Sequence, residues 1–249
     1  MNDSEDINSE QSSLTVTDSQ DTAVENACRP IRSFVRRQGR MTESQKKAID
    51  DHWAKYSLEL KSGLLNPEEI FERTAPTIIE IGFGNGHSLA EMAKKAPEKN
   101  FVGIEVHRPG VGSLLIEARE KALSNIRFYC DDAVDVLEHC CGPKSIDGVQ
   151  LFFPDPWHKR RHHKRRIVKH SFVDLISAKL KPGGYFHMAT DWEEYSKYMM
   201  DVMLERDDFR NQAGQNNYSP RPDYRPITKF EMRGERLGHG VWDLVFVKK

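Results

Sequence analysis

Apolar and polar positions follow two alternating periods along the 249-residue chain. From residue 77 onward, short apolar runs are followed by stretches whose apolar residues recur three and four apart. Thr77–Ile81 reads as a buried strand ending in Gly, and Leu89, Met92, Ala93 and Ala96 follow at helical spacing. Phe101–Val106 predicts a second strand and Gly112–Leu123 a helix. Ile126–Cys130 predicts a third strand and Asp132–Cys140 its helix, and Ile146–Phe153 is a strongly apolar fourth strand. Val168, Phe172, Leu175, Ile176 and Leu180 form one helical face. Pro182-Gly183-Gly184 then turns into strand Tyr185–Ala189, and Trp192, Tyr195, Met199 and Val202 mark another helix. Strands near Phe209 and at Val241–Val247 close the chain. Upstream, residues 42–60 read as a helix with Thr42 as N-cap, and Pro67 and Pro76 bound a short helical stretch. Repeated strand–helix units predict an α/β fold: a mostly parallel, seven-stranded sheet with helices on both faces. The last two strands flank a Pro-rich stretch, so the C-terminal strand is expected to be antiparallel. In such sheets ligands bind beyond the carboxyl ends of the strands, where strand order reverses.

Composition narrows the class. At 38% hydrophobic the chain can bury a sizeable core, yet no run of 18 apolar residues occurs, so no helical membrane span is expected. The N-terminus is acidic and polar without an apolar core, unlike a secretory signal. Four cysteines, two of them adjacent at Cys140-Cys141, are too few for a disulfide framework and fit a reducing cytosol. The net charge of −1 argues at face value against a nucleic-acid partner. Its distribution argues the other way. Residues 1–28 hold seven acids and no Lys or Arg, so all 37 basic residues and the other 31 of the 38 acids fall after residue 28, a net of +6. The acidic segment has no hydrophobic periodicity and is expected to be disordered. Residues 29–249 are expected to form one domain, with 29–76 an N-terminal arm and helices and 77–249 the core. The arm at 29–40, RPIRSFVRRQGR, carries five arginines around Ile31, Phe34 and Val35.

The predicted loops at the carboxyl edge each hold something unusual. After the first strand comes Glu80-Ile81-Gly82-Phe83-Gly84-Asn85-Gly86, three alternate glycines that allow a tight turn and close backbone approach to a ligand. Neither a dinucleotide G-x-G-x-x-G nor a P-loop fits this spacing. The pattern suits an adenosine ligand without a pyrophosphate, or a turn that merely links strand to helix. Glu105, near the end of the second strand, can accept ribose hydroxyls or stand as a solvated acid. Asp132, after the third strand and followed by Ala133, can accept an adenine amino group, cap a helix, or do both. The combination on successive strands is more specific than any one of them.

After the fourth strand the chain reads Pro154-Asp155-Pro156-Trp157-His158-Lys159-Arg160-Arg161-His162-His163-Lys164-Arg165-Arg166, and residues 158–170 hold seven Lys or Arg and four His. Such a run is usually a solvated face. At this edge of the sheet it would instead draw phosphates toward the ligand site. Zinc is the competing reading of the histidines, but no C-x-x-C accompanies them and the surrounding cations repel a metal, so no metal is expected.

Residues 77–190 resemble the Rossmann-like class I methyltransferases that use S-adenosylmethionine. Pro154–Trp157 with Lys159, Arg29–Phe34, Thr190-Asp191-Trp192, Thr228-Lys229-Phe230-Glu231 and Gly238–Leu244 closely resemble the bacterial tRNA (guanine-N7-)-methyltransferase family, over essentially residues 29–249. The resemblance implies transfer of a methyl group from S-adenosylmethionine to N7 of a guanine in the tRNA variable loop. It implies cofactor contacts at Glu80, Gly82, Gly84, Gly86, Glu105, Asp132, Ala133 and Asp155. It implies tRNA contacts at Lys159, Arg161, His162, His163, Lys164, Arg165, Arg166, Asp191, Thr228, Lys229, Phe230 and Glu231. Asp155 is the candidate catalytic residue, either stabilising charge as it moves from sulfur to the purine or accepting from the guanine N1–H and amino group. Asp191 could hold the base in the same way or cap the helix before Trp192. Trp157 or Phe230 either stacks on the base or fills the core. The chain is expected to be cytoplasmic and to work as a monomer or homodimer. The alternative is a related methyltransferase acting on another RNA. A relic RNA-binding protein and an NAD-dependent oxidoreductase fit less well, given the intact loops and the glycine spacing.

Overall fold

In the computed structural model, residues 33–34, 39–228, 231–232 and 240–249 are described. They all lie within one unit, Arg32–Lys249. The acidic segment 1–28 and most of the 29–40 arm lie outside the described residues.

Helix α1 (Glu43–Tyr56) begins at the expected Thr42, whose side chain accepts from Gln45 N–H while Gln45 Oε1 accepts from Thr42 N–H. This reciprocal capping box satisfies two otherwise orphaned donors. The helix stops four residues short of the expected end. Ser57 and Leu58 leave it as strand β1 (Ser57–Leu58), which pairs with Phe128 and Tyr129. That pairing covers an edge that would otherwise expose backbone groups. Among the described residues it brings the strands to eight, where the pattern predicted seven.

Then follow α2 (Pro67–Phe71), β2 (Thr77–Ile81), α3 (His87–Lys95), β3 (Asn100–Ile104), α4 (Arg108–Glu120), β4 (Ile126–Tyr129), α5 (Ala133–Cys140), β5 (Ile146–Phe152), α6 (His170–Lys179), β6 (Leu180–Thr190), α7 (Glu193–Leu204), β7 (Phe209–Asn211) and β8 (Trp242–Lys248). Helix α4 starts four residues before the expected Gly112, because Pro109 fits the first helical turn, where its missing N–H costs nothing. The basic run forms a 3₁₀ helix, Arg160–Arg165, that the pattern did not predict.

The sheet order is β1-β4-β3-β2-β5-β6-β8-β7. The pairs from β1 through β6 are parallel, and β8 runs antiparallel to both β6 and β7. Alternation divides each strand between two cores. Ile79, Ile81, Val149, Leu151, Phe186 and Met188 pack with α5, α6 and α7. Ile78, Phe101 and Phe128 pack on the opposite face with α1, α3 and α4. This two-sided burial is why the central strands read as continuous apolar runs. The crossover from β4 to β5 carries the chain past β2, so strand order reverses between β2 and β5. No helix of the described residues is long and apolar enough to cross a membrane.

Candidate active site

A cavity of about 700 Å³ opens at the carboxyl ends of β2 and β5. That is the reversal point, and the size suits a small-molecule ligand. Among the expected site residues, Glu80, Gly82, Gly84, Asp191 and Thr228 line it. Phe152 and Phe153 from the end of β5, and Thr42 and Gln45 from the start of α1, complete much of the wall.

Glu80 is 2% exposed, and its Oε2 has no hydrogen-bond partner. Burial, helped by the nearby negative charge of Glu105, pushes its carboxyl up to about 8. An unpartnered buried oxygen on a cavity wall is a place for a donor on a ligand. Ser88 Oγ, on the same wall, is likewise buried without a partner.

The glycine turn is held from behind. Gly82 and Gly84 have φ of +72° and +57°, a region that disfavours side chains. Glu105 Oε2 accepts from Gly84 N–H at 2.9 Å, and its Oε1 accepts from Val106 N–H at 2.7 Å and His107 N–H at 3.0 Å. Glu105 is therefore no freely solvated acid: it ties the end of β3 to the glycine turn. Gly110 of α4 was not singled out by sequence, yet a Cβ there would lie 2.1 Å from the Gly84 carbonyl oxygen. Gly86 is buried against Leu114 and does not line the cavity.

Asp132 caps α5, accepting from Val134 N–H at 3.0 Å, so the capping role is met. Ala133 is buried at the first position of that helix. Asp191 is not the N-cap of α7. That position is Trp192, whose N–H is taken by Thr190 Oγ1 at 3.2 Å. Asp191 is left exposed on the cavity wall.

The Pro154-Asp155-Pro156 segment is bracketed by two strained residues, Phe153 at φ +51° and Trp157 at φ +48°. Such non-glycine conformations cost about 1–3 kcal/mol each and cluster at functional sites. Asp155 is exposed outside the cavity wall, and its Oδ1 accepts from Trp157 N–H at 2.9 Å. Trp157 is half-buried; its Nε1 donates to Ser33 O at 3.3 Å, and the Arg165 guanidinium lies 4.9 Å from its ring centroid.

In the basic loop, Lys159, Arg161 and Lys164 are exposed and His162 and His163 half-buried. Arg166 departs from the expected phosphate contact. It is 3% exposed and donates to Glu194 at 3.0 and 2.5 Å and to Pro156 O at 3.0 Å. It lies over the rings of Tyr195 and Tyr198. Its charge fastens the proline segment to α7 instead of facing solvent. Among the described residues, no group of three or more His, Cys, Asp or Glu is arranged to hold a metal.

Glu231 departs in the same way. It is buried, and Arg225 donates to both its oxygens at 2.7 and 2.8 Å. Arg225 also donates to both oxygens of Asp243 at 2.7 and 2.8 Å. Asp243 bonds His187 Nε2 at 2.7 Å, and Tyr224 OH bonds His187 Nδ1 at 2.9 Å. Burial alone would raise the Asp243 carboxyl, but hydrogen bonds from His187 and Arg225 outweigh it and hold it below its ordinary value. Thr228 and Glu231 form a capping box: Glu231 N–H donates to Thr228 Oγ1 at 3.1 Å and Thr228 N–H to Glu231 Oε2 at 3.3 Å. The T-x-x-E motif thus shapes the loop that carries Thr228 to the cavity. Lys229 and Phe230 lie outside the described residues. The available signal for this network was a lone polar residue inside each of two apolar strands, His187 and Asp243.

Comparison with known proteins places this geometry. A family model described as "Putative methyltransferase" matches residues 74–244. A tRNA (guanine-N(7)-)-methyltransferase of Alcanivorax borkumensis is 58% identical over 221 residues, covering 89% of this chain and 92% of that one. The chain belongs to the tRNA (guanine-N(7)-)-methyltransferase family. A second member, from Yersinia enterocolitica, is 56% identical over 223 residues, 90% of this chain and 93% of that one. The 16S rRNA methyltransferase KamB shares the fold, with a TM-score of 0.53 at 12% identity over 73% of this chain and 92% of that one. Of the motifs singled out in the sequence, Gly82, Gly84, Asp191 and Thr228 sit on the cavity wall, and Glu231 braces the loop that carries Thr228.

Proposed function

We propose that this chain transfers a methyl group from S-adenosylmethionine to N7 of a guanine in the variable loop of tRNA, acting in the cytoplasm as a monomer or homodimer. The observation that carries the reading is a cavity at the strand-order reversal whose wall holds the glycine turn and the buried Glu80, with one carboxyl oxygen unpartnered. When bound, S-adenosylmethionine supplies a methyl group on a positively charged sulfur. The residues present suit such a ligand. Glu80 Oε2 and Ser88 Oγ offer unpartnered polar atoms to its amino-acid end, and the Gly82–Gly84 backbone allows close approach. Glu105 retains lone-pair capacity for ribose hydroxyls beyond its three backbone bonds, and Asp132 stands at the end of β4 for the adenine amino group.

Guanine N7 has an in-plane lone pair and no proton, so its attack needs no general base. Catalysis then rests on alignment and electrostatics. Asp191 and Thr228 line the cavity and are suited to hold the base. Asp155, on the strained segment beside it, stabilises positive charge passing to the purine. N7 is hard to reach in the narrow major groove of A-form RNA, so the guanine must be exposed. Lys159, Arg161 and Lys164 hold the backbone near the cavity through phosphate contacts. The test is mass mapping of nucleosides after incubating the protein with unmodified tRNA and labelled S-adenosylmethionine. N7-methylguanosine at a variable-loop position is expected. Label on another base, or only on ribosomal RNA, overturns the reading.

A further inference from the structure

Glu80 and Gln150 are register partners on the neighbouring parallel strands β2 and β5. Strands in a sheet lie about 4.8 Å apart, and paired residues project from the same face. Ile79, Ile81, Val149 and Leu151 point to the other face, which leaves Glu80 and Gln150 side by side on the cavity side. Both are buried, and Glu80 Oε2 and Gln150 Oε1 each lack a partner. Gln150 Nε2 donates to Tyr185 OH at 3.0 Å, and Oε1 is the end left without a partner. Two acceptors cannot satisfy each other. A single proton on Glu80 satisfies both, because a neutral carboxyl is a donor.

The surroundings favour that proton. Glu105, at the end of β3, acts on Glu80 through its negative charge; Glu117 from α4, paired with Lys121 and His87, and Asp191 from the end of β6 also line the cavity, with His87 from α3 the one titratable nitrogen on its wall. Among the described residues no Lys or Arg lines the cavity. Next in register beyond Gln150 lies His187, whose Nε2 is held by Asp243.

We infer that Gln150 is a positioning residue of the cofactor site: its Oε1 accepts the O–H of a neutral Glu80, and the ammonium of an arriving ligand displaces that proton. The Glu80 O–H bond breaks, the electron pair stays on the carboxylate to meet the ammonium, and the proton leaves to solvent. This rests on the reading that the cavity takes S-adenosylmethionine. With the Glu80 carboxyl near 8, the proton is in place at pH 7.

Calorimetry tests it with S-adenosylhomocysteine, which carries the same amino-acid end, in buffers of different ionisation enthalpy. At pH 7 close to one proton should be released per ligand bound, falling toward zero above pH 8. Glu80→Gln should release none. Gln150→Leu should lower the pH of half-release by about half a unit to one unit, the worth of one hydrogen bond. Binding without buffer dependence overturns the inference and leaves the reading of the site intact; no binding at all overturns both. Difference infrared spectra of the wild type need no variant. A protonated-carboxyl band that disappears on ligand binding supports the inference, and its absence refutes it.

Discussion

Replacing Arg225 by Met removes a guanidinium that is 1% exposed and donates four hydrogen bonds of 2.7–2.8 Å to two carboxylates. The four bonds cannot simply be summed, because burying three charges costs several kcal/mol per ion. What the substitution leaves behind sets the loss. Glu231 keeps Thr228 N–H and Asp243 keeps His187, but both lose their counter-charge. Breaking a buried pair from one side costs about 3–5 kcal/mol. Protonation caps the loss: neutralising a carboxylate of ordinary affinity at pH 7 costs about 1.4 kcal/mol per pH unit, or about 4 kcal/mol. We therefore expect Arg225→Met to lose about 3–5 kcal/mol at pH 7 in urea unfolding, a large share of a typical domain's stability. The loss should shrink in acid. In the wild type the Asp243 carboxyl is held low, so its contribution is present above the unfolded value and fades as pH falls. In the variant Asp243 loses the Arg225 hydrogen bonds that hold it low while burial still raises it, so its penalty grows as pH rises. The gap between the two proteins should narrow by about 1.4 kcal/mol or more per unit between pH 7 and 5. A loss under about 1 kcal/mol, or one that grows in acid, would refute the assignment of this triad as a buried ionic brace.

Four further outcomes are expected. Glu80→Gln should stabilise the ligand-free protein at pH 8 while weakening S-adenosylhomocysteine about 10- to 100-fold, the worth of one charged hydrogen bond. A carboxyl raised to about 8 contributes stability below its unfolded value that is lost as pH rises toward 8, and thermal melts against pH should show that slope only in the wild type. Gly110→Ala sets a methyl against the Gly84 carbonyl and should cost at least about tenfold in ligand affinity with near-native circular dichroism; unchanged affinity would count against the rigid glycine turn. Asp155→Asn keeps an acceptor for Trp157 N–H and Asp155→Ala does not, so methylation lost in both marks a role for the charge, whereas activity surviving in Asn alone marks a role for the turn. Removing residues 1–28 should leave the melting temperature nearly unchanged, and a drop of several degrees would show that the segment packs.

The strand–helix alternation was legible because period 2 and period 3.6 patterns are set locally, and the central strands are apolar on both faces. Edges were less so. Residues 57–58 carry no strand signal of their own, since their pairing with β4 is a tertiary event. The glycine turn was legible from residue type and spacing, and Glu80, Asp191 and Thr228 from the family resemblance; Gly82, Gly84 and those three residues line the cavity. Arg166 and Glu231, expected as tRNA contacts from the family resemblance, are buried in ion pairs. A buried ion pair is invisible to sequence unless both partners are known, and Glu194 and Arg225 lie 28 and 6 residues away. Gln150, His187 and Asp243 had a weak signal, polar residues inside apolar strands, whose meaning depends on which strands become neighbours.

Burial also revises the electrostatic argument for a tRNA partner. Of the seven Lys and Arg in residues 158–170, Arg166 is spent on Glu194 and Arg165 lies over Trp157, which leaves Lys159, Arg160, Arg161, Lys164 and Lys169 exposed. Each phosphate neutralised on duplex contributes about −0.9 to the slope of log affinity against log salt, and about −0.7 on a single strand. The loop can therefore supply a slope of at most about −3.5 to −4.5. Neutralising Lys159, Arg161 and Lys164 together should flatten the measured slope by about 2 to 3. Arg166→Gln should leave the slope unchanged while destabilising the protein, since its charge meets Glu194. Equal slope changes from Arg166 and from the exposed cations would mean that this ion pair opens when RNA binds.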